Sequence, residues 1–358
     1  MSKTVINGIF LTQGINGVQR YGLEIVKALD ELMSENARDI ELVVPESYEG
    51  TYTPRNITLI KTGRREGKIW EQTDLVRYLK KTGAEVLCFE NIVPLLYRKG
   101  TVVIHDISFK ANPDFFSGSF KGKLSMAWRR LNYLAACRSG MHIVTVSEFS
   151  KGELCRYYNV DPARITVAGD SWQHIDSLGR DDSLFDKYPQ LRNGNYYFAM
   201  ATLAKWKNFK WVLNAAKAAP DETFVIAGGG NIEAFLKENE ASELENVILP
   251  GYVTDEQAVS LMSGCRAFLF PTLYEGFGLP PLEAAAAGAR AILVSDIDVM
   301  HEVYGDAASY LDPHDLHPDV RDIREMGEKR RESLLSRHSW EKSAEAILRI
   351  IRSHKTEA

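Results

Sequence analysis

The sequence predicts an α/β protein of two Rossmann-like domains in tandem, each a doubly wound, mostly parallel sheet. Three observations predict it. Short β-branched or aromatic runs alternate with helical stretches along nearly the whole chain. A polar stretch without apolar periodicity, 176–195, divides the alternation into two sets. And 358 residues suffice for two domains, each with its own core.

In the first set, strands are expected at Val5 to Leu11, Ile40 to Val44, Ile57 to Lys61, Val86 to Phe89, Thr101 to His105 and His142 to Val146. Val18, Tyr21, Ile25, Leu29 and Leu32 recur at helical spacing, so a helix is expected from Val18 to Met33. Further helices fit Trp70 to Lys81, Ser119 to Ser139 and Ser147 to Tyr158. The second set has strands at Tyr196 to Met200, Thr223 to Ala227, Val247 to Leu249, Ala267 to Phe270 and Ala291 to Val294. Its helices are Phe209 to Ala218, Ile232 to Asn239, Asp255 to Ser263 and Pro281 to Ala287. A last charged helix, Ser339 to Ile351, has Ser339 placed to cap it. The expected organisation is a first domain over 1–175, a linker over 176–195, a second domain over 196–338, and a terminal helix over 339–358 returning to the first domain. Tandem sheets of this kind bind nucleotides beyond the carboxyl ends of their strands, in a cleft between the domains.

Composition narrows the function. The chain is 45% hydrophobic and 25% charged, with a formal net charge of −5. That balance disfavours a nucleic-acid partner, which needs a basic field. The four cysteines, Cys88, Cys137, Cys155 and Cys265, form no C-x-x-C pair and sit near no histidine cluster. Neither a zinc site nor a disulfide framework is indicated, so no metal and no cofactor is expected. No leader-like segment is seen, and no run approaches the ~18 apolar residues of a membrane span. A cytoplasmic protein is expected. Phe115, Phe116, Phe120, Lys121, Lys123, Trp128, Arg129 and Arg130 mix aromatic and basic groups. They suit either peripheral contact with the inner membrane face or a helix packed on its sheet.

The strongest chemical signal is Pro271-Thr272-Leu273-Tyr274-Glu275-Gly276-Phe277-Gly278-Leu279-Pro280-Pro281-Leu282-Glu283-Ala284, between a strand and a helix. Glycines in a short turn leave backbone N–H groups uncovered, and a helix start adds more with a positive dipole end. Glu275 precedes the turn and Glu283 follows it. Carboxylates accept paired bonds from vicinal hydroxyls, so the stretch suits a polyhydroxylated ligand. The competing reading is a glycine-capped surface helix with a solvated glutamate.

Three weaker signals accompany it. In Ala201-Thr202-Leu203-Ala204-Lys205-Trp206-Lys207-Asn208, lysines between a strand and a helix can reach a diphosphate, or be simply solvated. Thr101 to Phe109 puts His105 and Asp106 at a strand end, where a histidine is often an ordinary hydrogen-bonded residue. Gly14 to Gly17, followed by Val18-Gln19-Arg20-Tyr21, is a glycine turn at a helix start that suits a diphosphate. Arg20 reads equally as a structural ion-pair residue. Gly228-Gly229-Gly230 is not a G-x-G-x-x-G fingerprint, which excludes a nicotinamide reading.

These residues carry a resemblance. The 271–284 stretch resembles the E-x7-E motif of retaining GT-B glycosyltransferases, specifically glycosyltransferase family 4. Pro250-Gly251-Tyr252-Val253-Thr254-Asp255, Ser295-Asp296, Glu302-Val303-Tyr304-Gly305-Asp306-Ala307-Ala308 and Asp312-Pro313 are similar to the family's text as well. The resemblance runs almost continuously from Tyr197 to Asp315 and more loosely through the first half. It implies that Glu283 holds the nucleotide ribose and that Glu275 and the amides of Phe277, Gly278 and Leu279 meet the transferred sugar. It implies that Lys207 neutralises the donor diphosphate, that Gly17 approaches it, and that His105 lies beside the sugar, oriented by Asp106. The chain departs from the family's Gly-Thr-Leu-x-x-Arg-Lys-Asn at Ala201 and at Trp206, where arginine is usual, and Lys205 is the candidate to supply the missing charge. The implied reaction is metal-independent hexosyl transfer from a nucleotide diphosphate sugar, with retention, to a hydroxyl of a glycan or lipid-linked glycan. A front-face route is implied, the leaving phosphate taking the acceptor proton.

The variant motifs look most like bacterial mannosyl- and rhamnosyl-type enzymes of surface polysaccharide, lipopolysaccharide or capsule synthesis. GDP-mannose is therefore the first expected donor, ahead of UDP-glucose, UDP-N-acetylglucosamine and dTDP-rhamnose. The alternative is a catalytically weak GT-B protein serving as a partner subunit or sugar-binding module.

Overall fold

The computed structural model describes residues 3–33, 39–50, 52–116, 120–230, 232–321 and 323–356, and only the backbone at 121, 232, 233 and 354–356. The chain divides into two compact units, Met1–Asp170 with Ser339–Ala358, and Ser171–His338. The first unit contains β1 (Thr4–Asn7), β2 (Ile40–Val44), β3 (Thr58–Lys61), β4 (Glu85–Cys88), β5 (Gly100–Val103), β6 (His142–Thr145) and β7 (Ile165–Val167). They form one parallel sheet in the order β3-β2-β1-β4-β5-β6-β7. The second unit contains β8 (Tyr196–Met200), β9 (Thr223–Ala227), β10 (Val247–Gly251), β11 (Ala267–Phe270), β12 (Ile292–Ser295) and β13 (Ser309–Leu311). These also run parallel, in the order β10-β9-β8-β11-β12-β13.

The expected α/β class, with two Rossmann-like domains, is the one found. The central strands are short apolar runs buried along their length, as a sheet covered by helices on both faces requires. Each unit has its own core, around Trp70, Val86 and Tyr133 in the first and Tyr197, Trp211 and Phe224 in the second. In each sheet the strand order reverses once, between β1 and β4 and between β8 and β11. Loops leaving the two strands at such a reversal turn opposite ways and leave a crevice at their carboxyl ends.

Several expectations are corrected. The first strand stops at Asn7, and Gly8–Thr12 is a helical turn whose start the Asn7 side chain caps at the Ile9 N–H. Gly8 lies under the second strand, where a Cβ would stand 2.6 Å from Val44 Cγ1. The edge strands β7 and β13 went unpredicted because three residues are too few for a periodic signal. The 176–195 stretch is not a free linker. Gln173–Ser177, Ser183–Lys187 and Pro189–Asn193 are five-residue helical turns of the second unit, too short to show a helical period. The second unit begins at Ser171 rather than at 196, and the first ends at Asp170 rather than at 175.

The terminal helix, Trp340–Thr356, is part of the first unit. Its buried side chains Trp340, Ala344, Ile347, Leu348 and Ile351 repeat at helical spacing. The Trp340 ring meets Tyr21 at 5.7 Å, and Ser343 donates to the Gly169 carbonyl at 2.8 Å. Ser339 accepts from the Lys342 N–H at 3.3 Å, the cap its position suggested. The helix expected from Ser119 runs over Phe120–Arg138, and Ser119 itself lies outside the described residues, as does the Lys121 side chain.

Candidate active site

The second unit's reversal brings together the loops after β8 and β11. The β8 loop carries the helical turn Lys205–Lys207, and Trp206 there offers its carbonyl to the Leu273 N–H at 2.7 Å. Asn208 adopts a left-handed conformation, φ +56°, which turns the chain into the following helix. Its side-chain amide donates to the carbonyls of Pro271 (2.9 Å) and Pro313 (2.8 Å), tying three loops together. On this frame Lys207 Nζ donates to Glu275 Oε1 at 2.6 Å, with only 19% and 15% of the two side chains exposed. The buried Thr272 hydroxyl donates to the same oxygen at 2.8 Å. The lysine also lies 5.2 Å from the centre of the Phe270 ring.

The glycine turn is as tight as its sequence suggested. Gly278 has φ +91°, and a Cβ there would sit 2.5 Å from Met300 Cε. Its carbonyl accepts from the Tyr304 hydroxyl. The helix begins at Leu279, earlier than the expected Pro281, so both prolines occupy its first turn and supply no N–H. The N–H groups of Gly278 and Leu279 find no acceptor among the described residues. Phe277 is buried, its ring edge-on to His338. One turn into the helix, Glu283 Oε1 accepts from His174 Nε2 at 2.8 Å. That bond fixes the proton on Nε2.

The structure thus joins Lys207 to Glu275 and gives Glu283 a partner that the sequence did not reveal. Lys207, expected to neutralise a diphosphate, is ion-paired, because a largely buried ammonium needs a counter-charge. Lys205 is exposed and makes no ion pair among the described residues. Gly228 explains the three-glycine run. A Cβ there would lie 1.8 Å from the Ala201 carbonyl, so glycine lets the β9 and β8 loops touch.

In the first unit, His105 is buried just beyond β5. Its Nε2 lies 2.8 Å from the Phe89 carbonyl, and its backbone N–H donates to Asn91 Oδ1 at 2.6 Å. The carbonyl can only accept, so Nε2 carries the proton and Nδ1 is left as an acceptor. Burial pushes its pKa down to about 4, against opposing effects from the Phe89 carbonyl bond and Asp106. Asp106 accepts the Ser108 N–H at 2.7 Å, a local turn bond. Gly17 opens the helix Gly17–Leu32, with Asn16 capping Val18, and a Cβ on it would meet nothing within 4 Å. The Arg20 N–H bonds the Asn16 carbonyl at 2.8 Å as part of that same first turn. Sequence reading missed the buried group at this reversal. Glu90, just after β4, accepts from Gln13 (2.9 Å) and Gln19 (2.5 Å) of the β1 side, and burial raises its pKa. Behind it, burial lifts Glu71 to about 7 despite a 2.6 Å bond from Asn7.

Among the described residues no group of three or more His, Cys, Asp or Glu side chains is placed to hold a metal ion, and no helix is long and apolar enough to cross a membrane.

The chain is similar to proteins of known family. Residues 181–346 match the family "Glycosyl transferases group 1". The chain is 27% identical over 326 residues to the O-antigen chain mannosyltransferase RfbU of Salmonella typhimurium, covering 87% of each chain. It is 27% identical over 340 residues to O-antigen chain mannosyltransferase B of Escherichia coli, covering 86% of this chain and 87% of that one. Sucrose-phosphate synthase of Thermosynechococcus elongatus shares the fold, with a TM-score of 0.73 at 14% identity over 100% of both chains.

Proposed function

We propose, for a chain that is a glycosyltransferase carrying a group 1 glycosyl transferase domain, transfer of mannose from GDP-mannose to a hydroxyl of a glycan or lipid-linked glycan in bacterial surface polysaccharide synthesis. The reaction proceeds with retention and without a metal. The observation that carries this reading is the Lys207–Glu275 pair at the second reversal, beside the unpaired amides of Gly278 and Leu279. Glu275 has Oε1 committed to Lys207 and Thr272, which leaves Oε2 for a sugar hydroxyl. The ammonium spends one N–H on Glu275 and keeps two for diphosphate oxygens. Glu283 takes the ribose. As the glycosidic bond breaks, charge grows on the leaving phosphate, and Lys207 with the turn amides stabilises it where a metal would otherwise serve. His105 enters as a neutral hydrogen-bonding partner of the sugar, since a histidine with a pKa of about 4 carries no charge near neutrality.

The relatives favour mannose: RfbU and mannosyltransferase B both bear that donor sugar in their names. The test offers the purified chain GDP-mannose, UDP-glucose, UDP-N-acetylglucosamine and dTDP-rhamnose, with a mannoside-terminated glycan as acceptor. Turnover of GDP-mannose to an α-linked product, unchanged by a chelator, is expected. Turnover of no donor, even by hydrolysis, would return the chain to a sugar-binding role. A β-linked product or chelator sensitivity would overturn retention or metal independence.

A second feature bears on the acceptor. Phe120, Leu124, Ala127 and Leu131 lie at i, i+4, i+7 and i+11 of the helix Phe120–Arg138, so they share one face, and all are exposed. Phe120 is 83% exposed, and Lys123 lies exposed beside the stripe. Such a face supports peripheral contact with an anionic lipid surface at the cytoplasmic side. Co-flotation with vesicles containing phosphatidylglycerol, reduced by Phe120→Ser with Leu124→Ser, is the expected outcome.

A further inference from the structure

The turn Gln173–Ser177 lies at the start of the second unit, and the resemblance assigned it no role. Three consecutive side chains pin it. Trp172 Nε1 donates to the Leu335 carbonyl at 2.9 Å, and Gln173 Nε2 to the His338 carbonyl at 3.0 Å. Between these anchors and the helix Leu279–Ala287, His174 reaches Glu283 with its side chain 3% exposed, against 14% for the glutamate. The Ser177 hydroxyl closes the turn on the His174 carbonyl at 2.8 Å.

A glutamate on a helix surface has three rotatable bonds and, unrestrained, samples many rotamers. Here one carboxylate oxygen is held by a buried donor that is itself anchored at both flanks. The plane of the carboxylate is therefore set before any ligand arrives, and Oε2 takes no bond from a described residue. A fixed carboxylate can accept from two vicinal hydroxyls together, and a freely rotating one must first lose that freedom. We infer that His174 is a positioning residue that presets Glu283 for a cis-diol, making the site selective for ribonucleoside diphosphate donors over 2′-deoxyribonucleoside ones. The inference rests on the proposed ribose role of Glu283 and adds the residue that creates the selectivity. Neither His174 nor the turn touches the reacting atoms, so the effect falls on donor affinity and leaves the chemical step alone.

The experiment measures binding of GDP and 2′-deoxy-GDP to the full chain by calorimetry, and runs UDP and 2′-deoxy-UDP in parallel. For the wild type, the nucleotide that binds should do so about tenfold or more tighter than its deoxy form, the scale of one charge-assisted hydrogen bond. In His174→Leu the ratio should fall to about twofold or less. His174→Gln places an amide N–H at nearly the reach of Nε2 and should restore most of the ratio. His174→Asn, polar but shorter, should not, and it serves where the leucine variant fails to fold. A ratio that survives both His174→Leu and His174→Asn overturns the inference and leaves the role of Glu283 standing. A wild type that binds ribo and deoxy forms equally, with Glu283→Ala unchanged as well, overturns the ribose role itself.

Discussion

The two sheets reverse strand order in the same way, yet the residues that span the two reversals differ in kind. In the second unit a lysine from the β8 loop meets a glutamate from the β11 loop. In the first unit two neutral amides from the β1 side, Gln13 and Gln19, meet a buried glutamate after β4, and the nearby histidine is held neutral. A charge pair gives the second reversal a strong local field and a cation that can move from carboxylate to diphosphate. Around its glutamate the first reversal presents neutral amides and a neutral histidine, and the Arg129 guanidinium there donates to the Glu90 backbone carbonyl at 2.9 Å. Charged ligands are served by fixed opposite charge, and sugar hydroxyls by neutral donors and acceptors that need little desolvation. The asymmetry therefore matches a division in which the second unit handles the diphosphate.

The sharpest way to break that comparison is to remove the second unit's cation. Lys207→Ala should lower turnover at least about a hundredfold, the usual scale for losing one preorganised electrostatic contact to a developing charge. It also leaves Glu275 without its counter-charge, so Lys207→Met with Glu275→Gln is the control that separates transition-state loss from local repulsion. A Lys207→Ala enzyme within about tenfold of wild type, measured as kcat on GDP-mannose, would place the diphosphate elsewhere.

Much of this is legible in the sequence, for physical reasons that differ by residue. Glu275, Gly278 and Glu283 were readable because the turn, the helix start and the carboxylates fall within one short stretch. Gly278 is required there by a positive φ and by Met300, and the glycine pair stands out in the turn between strand and helix. His174 was not readable. It lies 109 residues from Glu283, in a turn with no periodicity, and a lone histidine in a polar stretch carries no signal. Glu90 and Glu71 are hidden for a similar reason: neither a glutamate just past a strand nor one within the helix Gly67–Thr82 gives a hint that it will be buried. The three-residue edge strands and the turns within 176–195 are lost to their shortness, while the long helices fall within about three residues of their expected ends, except the terminal one, which runs on from Ile351 to Thr356.

The neutral character of the first reversal can be tested through pH. An unfolded histidine takes up its proton near 6.5, but His105 in the folded unit does so only near 4. Between those values the unfolded chain binds the extra proton, so stability falls as pH falls, by roughly 3 kcal/mol over the whole window. Glu71 runs the other way, from an ordinary value of 4.5 to about 7. Its contribution is complete below 4.5 and is lost as pH rises to 7. Where the windows overlap, between 4.5 and 6.5, the two slopes oppose each other. Glu71→Gln should remove one slope, raise the stability of the first unit at about pH 8 by up to roughly 3 kcal/mol, and unmask the acid-side decline from His105. Urea-unfolding midpoints of the first unit's transition across this range check it, and an unaltered pH slope in the variant would contradict the raised pKa of Glu71.

The two glycine turns give a smaller contrast. Gly278 needs a positive φ and has Met300 against it, so Gly278→Ala should cost about 1–3 kcal/mol and weaken nucleotide binding with it. Gly17 has an ordinary φ and open space, and alanine suits a first helical turn, so Gly17→Ala should be neutral or stabilise by up to about 1 kcal/mol. Thermal midpoints of both variants measure the difference. If Gly17→Ala keeps its midpoint but loses nucleotide affinity, backbone approach of a phosphate at Gly17 is the remaining explanation, and the first reversal would then share in diphosphate binding.

The smallest expected effect belongs to Lys205, and it decides what replaces the arginine that the family has at Trp206. The lysine is exposed and forms no ion pair among the described residues, whereas Lys207, two residues on, is largely buried and paired. An exposed ammonium is solvated on most sides and screened by salt, so its attraction to a diphosphate is worth about 1 kcal/mol or less. Lys205→Ala should therefore reduce turnover by no more than about fivefold, with most of that loss disappearing at high salt. Were Lys205 instead to close over the donor, its removal would be severe at any salt, and combining it with Lys207→Ala would cost less than the two single losses together, as for residues acting on one group. A small, salt-sensitive and additive effect would mean that nothing replaces the missing arginine, and that a single paired lysine with the turn amides carries the leaving charge.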